Sequence, residues 1–152
     1  ASDVYKRQVI EIYLTSDSSI ELILFLKIVS SWIFTCLPII IFIPLVSVLF
    51  NISFDSALVI LATLIIGTPI LISIGIFGSA LTMGLSKNNI LIPVIVIPFY
   101  IPVLIFSASA IEAVSIGLSY EMQILTLLAL LLFILPIMPY LLKYTLRLSI
   151  NN

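Results

Sequence analysis

SALVILATLIIGTPILISIGIFGSALTMGLS, residues 56–86, holds no charged side chain between Asp55 and Lys87. As one helix its 31 residues would reach about 46 Å, against a bilayer hydrocarbon core of about 30 Å. Three more charge-free stretches, 28–54, 88–111 and 122–142, are 21 to 27 residues long, and about 20 apolar residues suffice to cross. The charges between them sort by sign. Lys27 precedes the first stretch and Asp55 follows it; Lys87 follows the second. Glu112 and Glu121 separate the third from the fourth, and Lys143 and Arg147 follow the fourth. If every stretch crosses, these four cations share one side. The positive-inside rule makes that side cytoplasmic. Length and sign thus agree on an all-α integral membrane protein with four transmembrane helices and both ends inside.

Composition narrows the function classes. The chain is 62% hydrophobic and 9% charged, with mean hydropathy +1.39. A soluble domain averages about 45–50% apolar and about 25% charged, so a soluble fold is excluded. A net charge of -1 offers no electrostatic case for nucleic acid. Histidine is absent and Cys36 is the single cysteine. That argues against His-ligated haem and Cys-rich zinc or iron–sulfur sites, and it excludes Ser-His-Asp and Cys-His catalysis. No metal, cofactor-binding or catalytic residues are assigned. Cys36, inside an apolar run, reads as a small packing residue.

Residues 1–8, ASDVYKRQ, are polar and match neither a signal peptide nor the apolar sequence beyond them. They resemble translated adapter sequence and are read as a non-native scar. Residues 9–27 form a cytoplasmic or interfacial lead-in. Within it, Ser18 and Glu21 have the Ser-x-x-Glu spacing of a capping box, which predicts a helix start there. The transmembrane domain spans 28–150, with crossings at about 28–50, 57–85, 90–111 and 122–144. Trp32 suits the cytoplasmic boundary, because an indole has one polar edge. Residues 51–55 form an external turn, and 111–121 an external loop carrying Glu112.

All eight prolines fall inside the charge-free stretches. In a bundle, neighbouring groups can satisfy the carbonyls that proline frees. One reading is the general abundance of proline in membrane helices; the other is a set of kinked helices lining a path or hinge. Gly67-Thr68-Pro69, near the middle of the over-long second span, is the candidate hinge, and a kink or break is expected there. Gly75, Gly78, Ala80 and Gly84 make one side of that helix small, which permits close helix approach in lipid.

Several segments, in this order and spacing, resemble the haem exporter protein B family (CcmB) of cytochrome c maturation. They are Ile66-Gly-Thr-Pro69, Gly78-Ser-Ala-Leu-Thr-Met-Gly-Leu85, Ile97-Pro-Phe-Tyr-Ile-Pro-Val-Leu-Ile-Phe106 and Ser107-Ala-Ser-Ala-Ile-Glu-Ala113. The tail Leu146-Arg-Leu-Ser-Ile150 fits as well, as does Lys27 followed by Trp32 and Leu37-Pro38. The resemblance implies six helices in the full protein, the last four of them here. It implies the membrane subunit of an ABC transporter, with a separate cytoplasmic ATPase and other cytochrome c maturation membrane proteins as partners. It implies haem export, or ATP-driven release of haem-loaded chaperone, at a bacterial inner membrane, with the mitochondrial inner membrane as the alternative.

On that resemblance, Glu11, Ser18 and Glu21 are candidate ATPase contacts, against a plain amphipathic lead-in lying on the membrane. Glu112 is a candidate contact for an external partner, against an ordinary loop acid. The chain has no G-x-x-x-x-G-K-[ST] motif, so ATP chemistry would come from a partner chain. A secondary transporter or channel is the competing reading. It is disfavoured because the crossings carry no ionisable side chain of the kind that couples ions, although freed carbonyls could coordinate a cation. A non-transporting assembly scaffold fits the same residues. An enzyme is disfavoured, since the acids are scattered among the loops. No haem of this chain's own is expected; haem enters as a handled species.

Overall fold

A computed structural model of the chain describes residues 8, 20–82 and 90–151. Four long helices account for nearly all of these: α1 (Ile20–Leu49), α2 (Phe54–Thr82), α3 (Leu91–Ser115) and α4 (Glu121–Asn151). Each contains a stretch long and apolar enough to cross a membrane.

Two short links reverse the chain, as expected for antiparallel neighbours. After α1, Asn51 takes a left-handed φ of 52°, which asparagine tolerates better than most residues. The Ile52 N–H donates to the Ser47 carbonyl at 2.9 Å. After α3, Gly117 has φ 74°. There the Leu118 N–H donates to the Ala113 carbonyl (2.8 Å) and the Gly117 N–H to the Val114 carbonyl (3.2 Å). This pair is a Schellman cap, which needs a left-handed residue at that position. Asp55 and Glu121 lie in the first turns of α2 and α4, where a negative charge complements the helix dipole.

α2 is the central helix and packs against all three others. Its buried residues include Ser56, Val59, Thr63, Gly67, Ile70, Ile74 and Gly78, a stripe at spacings of three and four. Two apolar clusters flank it. Near the basic end, Ile20, Leu24 and Ile28 of α1 meet Ala80 of α2 and Met138, Leu142 and Leu146 of α4. Deeper in, Ile70 and Ile74 meet Val96 and Val103 of α3 and Leu127 of α4. Among the described residues no side chain of α3 joins the first cluster and none of α1 the second.

Two expectations change. Of the kink or break expected at Gly67–Pro69, the break does not occur: α2 is helical from Phe54 to Thr82. Pro69 leaves the Ile65 carbonyl without its usual backbone donor, and two nearby hydroxyls bond to neighbouring carbonyls. Thr68 Oγ1 donates to the Leu64 carbonyl, and Ser73 Oγ donates to the Pro69 carbonyl at 2.7 Å. These back-bonds add a second donor to carbonyls on either side of the missing bond and do not reach the Ile65 carbonyl itself. Helices α3 and α4 also outrun the charge-free stretches, ending at Ser115 and Asn151. A charged side chain marks the edge of hydrocarbon and does not end a backbone ladder.

Candidate functional site

The polar groups that join helices are few, so each can be followed. At mid-bundle the Trp32 indole N–H of α1 donates to Thr68 Oγ1 of α2 at 2.9 Å. Thr68 Oγ1 also lies 3.4 Å from Cys36 Sγ. The single hydroxyl hydrogen of Thr68 is directed to the Leu64 carbonyl. The oxygen lone pairs are then free to accept from the indole and from the weak thiol donor. Trp32 therefore satisfies its polar edge on a neighbouring helix, whereas its sequence position suggested a headgroup anchor. Cys36 is buried and free, a packing residue at the same joint.

The residues of the candidate hinge sit at this joint. Gly67 and Pro69 are buried and Thr68 is half-buried. A Cβ on Gly67 would meet Val103 Cγ1 at 3.4 Å and Ser107 Oγ at 3.5 Å. So α3 presses on one side of the Gly67–Pro69 turn while α1 bonds to the other. Eight residues along, a Cβ on Gly75 would come within 2.9 Å of Tyr100 Oη, a second close approach of α2 and α3.

At the basic end, Lys143 of α4 donates to Glu21 Oε1 in an ion pair between half-buried side chains. That hydrogen bond from Lys143 is the main reason the Glu21 carboxyl titrates below its ordinary range, with the nearby Arg147 charge adding to it. Glu21 is an acid on the basic side, an exception to the sorting of charge by sign, and its partner lies 122 positions away. The sequence makes it a candidate ATPase contact; the structure engages it within this bundle. Glu11 and Ser18 lie outside the described residues.

At the acidic end, Glu112 is exposed, but on the last turns of α3 and not in a loop. The reason is local: the Ser115 hydroxyl (2.7 Å) and the Ile116 N–H (3.2 Å) both donate to the Glu112 carbonyl, carrying the helix to its Schellman cap. Nearby, Gln123 Nε2 donates to Ser109 Oγ at 3.2 Å, tying α4 to α3.

Six of the eight prolines (38, 44, 93, 98, 102 and 136) are exposed on the outside of the bundle; Pro69 and Pro139 are buried. The outward prolines do not line a shared path between these four helices. No group of three or more His, Cys, Asp or Glu side chains suited to a metal occurs among the described residues. Of the tyrosines, Tyr100 is half-buried between helices, Tyr120 and Tyr140 are exposed, and Tyr13 lies outside the described residues.

Residues 5–149 match the family model described as CcmB protein. Similar curated proteins carry the name heme exporter protein B. The one from Haemophilus influenzae is 36% identical over 126 residues, 83% of this chain and 57% of the relative. That from Rhodobacter capsulatus is 33% identical over 76% of this chain and 53% of the relative. That from Pseudomonas aeruginosa is 30% identical over 93% of this chain and 64% of the relative. The chain thus spans between 53% and 64% of the length of these relatives.

Proposed function

The chain belongs to the CcmB protein family, and from that membership we propose that it is part of the membrane subunit of an ABC transporter acting in cytochrome c maturation. The observation that carries this reading is the family match over residues 5–149, a range containing four helices of membrane-crossing length. The relatives are named for heme export. We extend that cargo to this chain as haem itself, or as a haem-loaded chaperone released by ATP hydrolysis.

The residues on offer constrain the energy source. The charge-free stretches carry no Asp, Glu, Lys, Arg or His to couple ion flow, and the chain has no phosphate-binding loop. ATP hydrolysis on a separate cytoplasmic subunit supplies the work in this reading, and the chain itself is non-catalytic. The basic end, with Lys27, Lys143 and Arg147, faces that subunit. At the other end Glu112, exposed and helical, is offered to an external partner. Gly67–Pro69 is the point where α1, α2 and α3 are held together, and movement between helices would pass through it.

Pull-down from detergent-solubilised native membranes tests the assignment. A P-loop ATPase should co-purify, and its ATPase rate should change on assembly. Its absence under conditions that preserve other membrane complexes would sink the ABC reading and favour a scaffold. Orientation has a separate test in a Cys36→Ser background. Ser53→Cys and Ser119→Cys should react with an impermeant thiol reagent from outside, while Leu148→Cys should need the membrane opened. The reverse pattern would overturn the placement.

A further inference from the structure

Helices α1 and α4 run past the hydrocarbon at the same end. Counted inward from Leu49 and Glu121, about 33 Å of helix brings α1 to Lys27 and α4 to Lys143, enough to fill a core of about 30 Å. The turns beyond, residues 20–26 of α1 and 144–151 of α4, therefore lie among headgroups or in water.

There the two helices stay together. Ile20 and Leu24 of α1 are buried in one cluster with Leu142 and Leu146 of α4, and of its buried residues α2 supplies Ala80 alone. Lys143 reaches across the same contact to Glu21, 122 positions away. Inside hydrocarbon, apolar contact gains little over lipid. Past the core, water drives it, and the ion pair fixes which turns face each other. Lys27 of α1 and Arg147 of α4 are both exposed at this end.

We propose that Glu21 is a positioning residue: through Lys143 it clasps the start of α1 to the end of α4, so that the two helices present one cationic surface to the cytoplasmic ATPase. This deepens the ABC reading above and rests on it. The surface carries Lys27 and Arg147 and fits an acidic patch on the partner. Glu21 itself does not touch that partner, because its carboxylate accepts from Lys143. Its part is to hold in register two cations that the sequence places 120 positions apart.

The test is ATPase retention by the full-length subunit in solubilised native membranes, titrated to half-saturation. Glu21→Gln should raise the half-saturation point about threefold, the scale of a half-exposed ion pair, and Lys143→Gln should do the same. The two together should be no worse than either alone, since both remove one interaction. The charge swap Glu21→Lys with Lys143→Glu should restore the wild-type value. Phe34→Leu should change nothing, and the emission of Trp32, the single tryptophan, should be the same in every variant. Retention indifferent to Glu21→Gln overturns the proposal. Additive losses, or a swap that restores nothing, mean that Glu21 contacts the partner directly and overturn it as well. A shifted Trp32 emission in Glu21→Gln, or an equal loss in Phe34→Leu, assigns the effect to the whole bundle and has the same consequence. An ATPase absent from wild-type material sinks the ABC reading and this role with it; one that is present but insensitive sinks this role alone.

Discussion

Helices α1 and α2 are nearly the same length, 30 and 29 residues, and similarly apolar, yet among these four helices one lies at the edge and the other at the centre. Four residues of α1 are buried, against ten of α2. The difference lies in side-chain size. The buried stripe of α2 is largely Ser, Thr, Gly and Ala, broken by Val and Ile. α1 presents Phe34, Ile41, Phe42, Val48 and Leu49, all exposed. In lipid, burying an apolar face against another helix gains little over leaving it in hydrocarbon. Association comes from close packing and hydrogen bonds, which small residues and hydroxyls allow. Apolarity placed both helices in the membrane; smallness chose which one the others surround.

Overpacking the centre should break this contrast most strongly. Gly75→Leu forces a side chain into the space of Tyr100 Oη and is expected to cost about 1–3 kcal/mol in denaturant unfolding of the detergent-solubilised protein. Phe34→Leu, on the open face of α1, should stay within about 0.5 kcal/mol. Equal losses at the two sites would show that α2 is not privileged. Next in size, Thr68→Val leaves the Trp32 N–H without its acceptor. A loss of about 1 kcal/mol is expected, much of it absent when Trp32→Phe is already in place; full additivity of the two changes would mean the bond contributes nothing.

Gly67→Ala sharpens the comparison within α2. Its Cβ would make ordinary contact with α3, so thermal unfolding should show a gain of about 0.4–1 kcal/mol from reduced unfolded-chain freedom. If Gly67 is also a hinge, partner-stimulated activity should fall while stability rises; unchanged activity would remove the hinge reading. The smallest effect concerns the grip on α1. Lys143 lowers the Glu21 pKa, so the folded state binds the proton less readily than the unfolded chain. The clasp's contribution is therefore complete above about pH 4.3 and fades as pH falls through the lowered value. Glu21→Gln should erase that acid-side step in a stability-against-pH series, and salt should shrink it, because the pair is half-exposed.

The elements were legible to different depths. Four crossings followed from charge-free length, and the sorting of Lys27, Asp55, Glu112 and Lys143 by sign gave their alternation. The ends of α3 and α4 were misjudged because a charge does not terminate a helix. Glu112 consequently moved from loop to helix, where its carbonyl is capped by Ser115 and Ile116. The Gly67–Pro69 segment was visible as unusual, but its continuity was not, since a single proline inside a helix packed on three sides removes one bond without ending the ladder. Glu21, a candidate contact for the ATPase, also pairs with Lys143, and nothing local in the sequence pairs residues so far apart. The signal that could have found it was there: an acid on the side where the other span-flanking charges are basic calls for a partner, and Lys143 and Arg147 were the available cations beyond the fourth span.

Membrane class, number of crossings and family membership were all determined by the sequence itself, because hydrocarbon thickness sets a minimum apolar length and because family resemblance lies in ordered motifs. Which face of each helix turns inward was decided only in the tertiary structure. In water an amphipathic pattern announces the buried face; in lipid both faces are apolar. The Trp32–Thr68 joint and the Glu21–Lys143 ion pair exist because four apolar rods must fit by shape and by a handful of hydrogen bonds, and those depend on neighbours that only the folded chain brings together.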